Sequence, residues 1–236
     1  MKASVVVPIR VDSKLFEPYL GHFRFCAEAL AHLDGDKPEV VVLDYGSKQT
    51  YSEKIKSVAD FCRQEYYKVS ADRWSRAAAI NRGIEKATGD LILVIDADVI
   101  VPPHYVQSHT EALETPGVFT NNAVYHLDAG HPMRWQHNRL VGLPGKICPG
   151  GWSHCGFRKT DWERAGGYDE DYYGWGGEDD SFLRRLSQAG LRRAMLGCVP
   201  IHLWHEEYIL IQQRLGNKDL AESAARNYKR FHEGSK

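Results

Sequence analysis

The fold is decided by the stretch Leu91-Ile92-Leu93-Val94-Ile95-Asp96-Ala97-Asp98, an apolar run that ends in two carboxylates. A short continuous apolar run of this kind is typical of a strand that is buried on both faces. Side chains two residues apart in an extended segment point the same way, so Asp96 and Asp98 can face one cation. Such oxygen ligands suit Mg²⁺ or Mn²⁺, which in turn suit the phosphates of a nucleotide. Asp is also a common turn residue after a strand, so the pair alone does not decide between these interpretations.

The composition limits the classes of protein to which the chain can belong. The 236 residues include 30 Lys and Arg against 31 Asp and Glu, a formal net charge of −1. This balance gives no electrostatic case for general nucleic-acid binding. No apolar stretch approaches the ~20 residues that span a bilayer, and the chain begins with a strand-like segment instead of a signal peptide. We therefore expect one soluble, cytoplasmic domain over residues 1–236, without a membrane span.

The five cysteines give no sign of a disulfide-bonded or zinc-bound fold. They are odd in number and widely scattered, and none of them forms a CxxC pair. Neither a disulfide framework nor a thiolate zinc site is therefore expected.

The first half of the chain alternates short apolar runs with helical patterns, which predicts βαβ units and a mainly parallel sheet. The predicted strands are 5–7, 40–43, 67–69 and 91–95, and the predicted helices are 16–33, 52–64 and 75–87. Ligands bind to open sheets of this type outside the carboxyl ends of the strands. The loops 8–10, 44–47 and 96–98 fall at those ends, so the sequence predicts three polar loops around one crevice.

The second half is less regular and richer in Gly, Trp and Tyr. Its patterns predict a short helix from about 102 to 114, a strand over 118–125, and a loop over 149–154 that leads into a short strand. They also predict one or two helical turns at 160–165, a helix over 181–189, a strand over 194–199 and a surface helix over 219–232. Residues 206–217 fit either a lid that orders on binding or a plain helix.

Four blocks of the first half resemble the donor-site blocks of family 2 nucleotide-sugar glycosyltransferases, which have the GT-A fold. They are SVVVP at 4–8, VLDYGS at 42–47, AINRGIEKATGD at 79–90 and VIDAD at 94–98. Their order and spacing both agree with that family. The resemblance implies an α/β, Rossmann-like GT-A domain in which residues 1–117 form the nucleotide-sugar donor half.

The second half resembles the acceptor lobe shared by β-1,4-galactosyltransferases, polypeptide N-acetylgalactosaminyltransferases and chondroitin-type polymerases. The matching blocks are GG at 150–151, GGYDE at 166–170, YGWGGEDD at 173–180 and IHLWH at 201–205. The resemblance implies that residues 118–236 form the acceptor-binding half.

On the donor side, the resemblance implies that Asp98 is the direct metal ligand, while Asp96 lies nearer the ribose or a metal-bound water. It implies that Asp44 receives the uracil N–H of a UDP donor and that Pro8 and Arg10 line the base and ribose. An Asp before Tyr-Gly-Ser can also serve only to form a turn.

The remaining donor-side candidates follow from the matched blocks. Ala97 and Asn81 belong to these blocks and are assigned to donor binding. Two positions depart from the family pattern: Tyr45 replaces an Asp and Ile80 replaces an Arg. Arg76 or Arg82 can supply the missing cation, and either can equally be a solvated helix residue.

On the acceptor side, related enzymes imply a third metal ligand at His205, with His202 as the alternative. In the galactosyltransferase-like pattern Asp179 is the general base and Glu178 holds acceptor hydroxyls, and the two roles can be exchanged. A base is needed because a sugar hydroxyl is a poor nucleophile until it loses its proton. Acidic residues are also favoured at a helix start simply by its free N–H groups.

The acceptor pocket itself is assigned to a small set of flat and small side chains. Trp175 offers an apolar face for a sugar, and Gly177 permits close backbone approach. Gly151 and Trp152 are assigned to the same pocket, and His154, Tyr172 and Tyr173 are further candidates that ordinary packing explains equally well.

The sequence therefore predicts a non-processive glycosyltransferase that uses Mn²⁺ or Mg²⁺. It would move a hexose or N-acetylhexosamine from a UDP-sugar to a hydroxyl acceptor, with inversion. Two alternatives stay open: a retaining transferase, because the polypeptide-transferring relatives share several blocks, and a non-catalytic carbohydrate- or nucleotide-binding module.

Overall fold

In the computed structural model of the protein, one mixed sheet organises the described part of the chain, residues 1–129 and 144–233. Side chains are described for these residues except at 150–152. The strands lie in the order β3-β2-β1-β4-β7-β6-β9-β5, and β8 pairs with β6 outside this path. Parallel pairs predominate, which confirms the predicted α/β class with a mainly parallel sheet.

The N-terminal half supplies four parallel strands and three helices. The strands are β1 (Ala3–Ile9), β2 (Glu39–Tyr45), β3 (Glu65–Val69) and β4 (Leu91–Val94), and the helices are α1 (Pro18–Ala31), α2 (Gln49–Phe61) and α3 (Arg76–Lys86). Alternate strand residues face opposite sides of the sheet, so Val5 and Val7 pack toward α1 and α2, whereas Val6 and Val41 pack toward α3. Both faces are therefore buried, as the continuous apolar runs predict.

The second half completes the sheet with strands of both directions. Its strands are β5 (Val99–Ile100), β6 (Val118–Leu127), β7 (Gly145–Arg158), β8 (Arg192–Leu196) and β9 (Ile201–His202). Its helices are α4 (Tyr105–Leu113), α5 (Lys159–Arg164), α6 (Glu178–Gln188), α7 (Tyr208–Arg214), α8 (Lys218–Ala221) and α9 (Ser223–Glu233). β7 joins the halves by pairing antiparallel with both β4 and β6.

Two predicted elements of the second half are wrong. Residues 149–154 were expected to be a loop, but they lie inside β7. The ladder between β6 and β7 shifts register near Asn121 and Asn122, and irregularities of this kind let a Pro- and Gly-containing segment remain in a sheet. The surface helix expected over 219–232 is two helices, and Ser223 and Asn227 of α9 are buried.

The helix predicted at 181–189 begins three residues earlier, because α6 starts at Glu178 directly after a left-handed Gly177 with φ 91°. Residues 206–217 contain α7, in which Ile211 and Gln212 are buried, so this segment is helical in the structure. Among the helices of residues 1–129 and 144–233, none is both long and apolar enough to cross a bilayer.

Candidate active site

The carboxyl ends of β1 and β4 open into a cavity that we call the strand-end cavity. It is lined from both halves of the chain by Pro8, Ile9, Arg10, Asp12, Phe16, Tyr19, Trp74, Arg76, Asp96, Ala97, Asp98, Trp175, His202, His205 and Tyr208. Arg10 is fixed there by Asp12, 2.9 Å away, and by the backbone carbonyls of Ala71 and Asp72. The predicted residues Pro8, Arg10 and Ala97 therefore lie beside Asp96 and Asp98.

Asp98, His202 and His205 bring three ligand atoms to one point of this cavity. Pairing of β5 with β9 carries the two histidines to the segment that follows β4, and the Leu203 amide donates to the Asp98 carbonyl at 2.9 Å. Nε2 of His205 lies 3.1 Å from Oδ2 of Asp98, and Nε2 of His202 lies 3.7 Å from Oδ1. The three ligand atoms all lie within 4.8 Å of one another, so both candidate histidines belong to the set.

The hydrogen bonding of this set fits a divalent cation. Nδ1 of His205 lies 2.8 Å from the Glu206 carbonyl oxygen and 2.8 Å from the Tyr19 hydroxyl; in the tautomer that donates from Nδ1 to the carbonyl, Nε2 presents a lone pair to Asp98. Oδ1 of Asp98 is buried and has no hydrogen-bond partner among the described residues. A cation between these lone pairs satisfies both. The two imidazoles favour Mn²⁺ over Mg²⁺, which prefers oxygen ligands.

The protonation states of the set also suit metal binding. Burial would raise the pKa of Asp98, but the nearby His202 and His205 outweigh it and hold the pKa below its usual value. Burial lowers the pKa of His202. An ionised carboxylate and a neutral imidazole are the forms that coordinate metals.

Arg76, the first residue of α3, connects Asp96 to the acidic start of α6. Its Nε lies 2.7 Å from Oδ1 of Asp96 and its Nη1 lies 2.5 Å from Oδ1 of Asp179 and 3.5 Å from Oε1 of Glu178. Nη2 donates to the Ser153 carbonyl at 3.1 Å. Arg76 therefore takes the central cationic position, whereas Arg82 pairs on the surface with Glu85.

Asp96 has different partners from Asp98. Its second oxygen, Oδ2, lies 3.3 Å from Nε2 of His154, and it stands outside the three-atom cluster formed with the two histidines of the 201–205 block. This placement agrees with the sequence-based expectation that Asp98 is the direct ligand and that Asp96 lies beside it, outside the set.

The three carboxyl groups around Arg76 have divergent acidities. Burial acts to raise the pKa of Asp96, but Arg76 and His154 outweigh it and keep the pKa well below its usual range. Burial, reinforced by Asp179, raises the pKa of Glu178 to about 7. Burial also raises the pKa of Asp179, against the opposing charge of Arg76. Neighbouring carboxyl groups whose pKa values are pushed apart are typical of acid–base sites.

A second cavity, which we call the loop cavity, lies next to the first. Its lining includes Val124, His126, Ser153, His154, residues 174–180, Ala224, Ala225, Tyr228 and Phe231. Both cavities share a wall formed by Trp74, Arg76, Asp96, Trp175 and His202. The acidic start of α6 therefore faces a cavity that adjoins the strand-end cavity.

The loop over residues 173–177, which we call the Trp175 loop, is held in place by α9. Asn227 donates its amide to the carbonyls of Tyr173 and Trp175, each at 3.1 Å, and the Ser223 hydroxyl accepts from the Trp175 amide at 3.0 Å. Gly174 has φ 80°, and a Cβ there would lie 2.3 Å from the Ser223 side chain, so only glycine fits.

The Tyr173 ring is packed between two guanidinium groups. Arg73 and Arg226 each lie 3.8 Å from its centroid. The Gly174 amide also donates to the Trp74 carbonyl at 2.9 Å, so the loop is tied to the N-terminal half as well as to α9.

Two predicted donor residues stand outside both cavities. Asp44 is fully buried, and its two oxygens accept from the Ser47 amide and the Tyr66 hydroxyl. Asn81 is buried as well, and it bonds to both backbone groups of Tyr168. For Asp44 these bonds match the turn-forming alternative, and for Asn81 they join the two halves.

The predicted acceptor residues Gly151 and Trp152 lie within β7, and their side chains are outside the described part of the structure. Sequence reasoning missed Trp74, Tyr19 and the α9 wall. Tyr19 lies in an ordinary helical pattern, and no motif distinguishes it, although its hydroxyl reaches Nδ1 of His205 at 2.8 Å.

A mostly parallel α/β sheet whose strand ends hold such a site defines a Rossmann-like domain of the GT-A glycosyltransferase type. The model of Glycosyl transferase family 2 matches residues 4–177, and the chain belongs to this family. The match stops one residue before Glu178, so α6 and all later elements lie beyond it.

Among curated proteins, the chain is similar to chondroitin synthase of Escherichia coli, with 25% identity over 207 residues, 70% of this chain and 30% of that protein. The chain spans between 30% and 52% of the length of the first three curated relatives that it matches.

Two solved structures share the fold. Mannosyltransferase PcManGT from Pyrobaculum calidifontis, in complex with GDP-Man and Mn²⁺, has a TM-score of 0.62 at 19% identity, over 91% of this chain and 60% of that one. GalNAc-T7 with UDP, GalNAc and Mn²⁺ has a TM-score of 0.64 at 15% identity, over 88% of this chain and 44% of that one.

Proposed function

We propose that the chain is a metal-dependent, non-processive glycosyltransferase that moves a hexose or N-acetylhexosamine from a UDP-sugar to a hydroxyl acceptor, with inversion. The observation that carries this proposal is the shared wall between the two cavities. One cavity contains the Asp98, His202 and His205 set, and the other contains Glu178 and Asp179. A transferase needs this arrangement because donor and acceptor must meet at one point.

The strand-end cavity is the donor site in this proposal. Asp98, His202 and His205 would hold Mn²⁺ or Mg²⁺, and the bound ion would neutralise the donor diphosphate and assist departure of the nucleoside diphosphate. Pro8, Arg10 and the other residues at the end of β1 would contact the nucleoside.

The loop cavity is the acceptor site in this proposal, and residues of the second half form most of its lining. Asp179 would accept the proton of the attacking hydroxyl. Its Oδ1 is oriented by Arg76 at 2.5 Å, and burial raises its pKa, which makes it a stronger base than an exposed carboxylate. Glu178 would hold acceptor hydroxyls, and the exposed Trp175 would pack against the acceptor sugar.

A GDP-sugar is the second candidate donor. UDP is favoured by the sequence resemblance and by the UDP complex of GalNAc-T7, whereas the GDP-Man complex of PcManGT supports the guanine nucleotide. Because Asp44 already accepts from Ser47 and Tyr66, base selectivity need not rest on that residue.

The test is hydrolysis and transfer with a panel of UDP- and GDP-sugars, with and without Mn²⁺. We expect Mn²⁺-dependent release of UDP from one UDP-sugar, and its loss in Asp98→Asn but not in the surface control Asp90→Asn. Proton NMR at early times should show the free sugar with inverted anomeric configuration; retained configuration would support the retaining alternative. No turnover of any nucleotide sugar would leave the non-catalytic module as the better interpretation.

A further inference from the structure

The helix α9 lies beyond the family match, yet it forms one wall of the loop cavity. Ala224, Tyr228 and Phe231 line the cavity at spacings of four and three residues, so they share one helical stripe. Ser223 and Asn227 face the Trp175 loop and brace it. One side of α9 therefore supports the loop, while another is presented to the cavity.

The side chains that line this cavity differ widely in exposure. The Asp179 side chain is 16% exposed, whereas Trp175 is 57% exposed and Tyr228 is 68% exposed. The His232 ring lies against Tyr228 with centroids 4.2 Å apart, which fixes the orientation of the phenol. Two accessible aromatic side chains thus share the cavity lining with the buried carboxylate.

We propose that Tyr228 is the platform of a second carbohydrate subsite, so that the acceptor is a glycan of at least two sugars. The sugar with the reacting hydroxyl lies at Asp179 and Trp175, and the next sugar lies on Tyr228. This inference rests on the proposed function, because Asp179 defines where the acceptor ends.

The chemistry of the wall favours a sugar over an acyl chain. A pyranose has an apolar C–H face that packs on aromatic rings and an edge of hydroxyls that needs hydrogen-bond partners. The loop cavity pairs the Trp175 and Tyr228 rings with carboxyl groups at residues 178–180. An acyl chain would remove those carboxyl groups from water without offering them a hydrogen bond, at a cost in free energy.

The cavity also has room for a ring beside Tyr228. Ala224 and Ala225 are small lining residues, and a Cβ built on Gly176, which also lines the cavity, would meet no atom within 4 Å. A bulky and rigid ligand can therefore approach both α9 and the loop.

The experiment compares acceptors of different length in the full chain. The probes are mono-, di- and tetrasaccharides that end in glucose, galactose, GlcNAc, GalNAc or glucuronic acid, and the readout is nucleotide release above the rate without acceptor. We expect the preferred oligosaccharides to have a KM about 3- to 10-fold lower than the matching monosaccharide, as one aromatic contact provides. Tyr228→Ala should abolish this difference, and Tyr228→Phe should preserve it because the ring face is retained.

Phe61→Ala is the matched control, because Phe61 is an equally exposed aromatic on α2, outside the loop-cavity lining. Equal KM values for mono- and oligosaccharides, or an unchanged preference in Tyr228→Ala, would overturn the subsite. An enzyme that hydrolyses its donor but is accelerated by no glycan would overturn it too, in favour of a peptide or lipid acceptor.

Failure of the proposed function is distinguished by the absence of any nucleotide-sugar hydrolysis. In that case binding of the same saccharides is measured by tryptophan fluorescence. Oligosaccharide binding that weakens in Tyr228→Ala supports the subsite, and absence of binding overturns it.

Discussion

The two halves of the chain place their functional groups by different means. In residues 1–117 the site residues follow buried parallel strands, so their position is a consequence of sheet geometry. In residues 144–233 the Trp175 loop is held by hydrogen bonds from α9, about fifty residues further along the chain. The difference teaches that the proposed donor side is built by regular structure, whereas the proposed acceptor side is built by individual long-range contacts.

The largest effect is expected from Asp179→Asn, which removes the proposed base in the second half and leaves the proposed donor site unchanged. An amide cannot accept the proton, so we expect glycosyl transfer to fall by about 10²- to 10⁴-fold. Donor binding, measured by thermal shift with Mn²⁺ and nucleotide, should persist because the Asp98 set is intact. Asp180→Asn is the control from the same cavity and should lose less than about tenfold; the reverse order would contradict the assignment of the base.

Arg76→Met would break the contact between the halves. It leaves Asp96 and Asp179 buried without their shared cation, so the free energy of unfolding should fall by about 3–5 kcal/mol. Arg82→Met on the same helix removes an exposed ion pair and should cost less than about 1 kcal/mol. Urea denaturation at pH 7 measures the free energy of unfolding of both variants. Equal losses would show that Arg76 does not hold the two halves together.

Glu178→Gln tests the electrostatics of the start of α6. The pKa of Glu178 is raised from 4.5 to about 7, so its protonated form stabilises the folded state below pH 4.5 and this contribution is lost as the pH rises through about 7. The variant should match the wild type near pH 4.5 and exceed its Tm by several degrees at pH 8.

The exposed control for this experiment is Glu85→Gln, which removes a surface ion pair and should change the free energy of unfolding by less than about 1 kcal/mol. A Glu178→Gln advantage that is largest in acid would contradict the raised pKa. Differential scanning calorimetry across this pH range gives both curves.

The smallest effect is expected from Asn227→Ala, which removes two hydrogen bonds within the second half only. Two loop carbonyls lose their donor, so the free energy of unfolding should fall by about 1–2 kcal/mol and the acceptor KM should rise while the donor KM stays constant. Lys229→Ala, an exposed change on the same helix, should stay within about 0.5 kcal/mol. A matching rise in donor KM would show that the halves are not separable.

Regular patterns predicted most of the first half. Apolar strands and amphipathic helices there lie within a few residues of their expected bounds, and the polar loops around Arg10 and Asp98 meet at one cavity. Local patterns describe such elements because a strand buried on both faces has a continuous apolar run, and a helix buried on one face has apolar residues at helical spacing.

The long-range contacts of the second half have no local pattern in the sequence. Pro149, Gly150 and Gly151 are typical of a loop, and only the irregular pairing with β6 keeps them inside a strand. The roles of Arg76 and Asn227 depend on partners about a hundred and about fifty residues away, and no spacing along the chain encodes them.

The contacts of the Tyr173 ring join two distant segments of the chain. One of its faces rests on Arg73, which immediately precedes a residue of the strand-end cavity, and another contact is made by Arg226 of the last helix. The three side chains therefore connect the last helix to the segment that contributes Trp74 to the strand-end cavity. Because Trp74 lines both cavities, a displacement of α9 should disturb both of them.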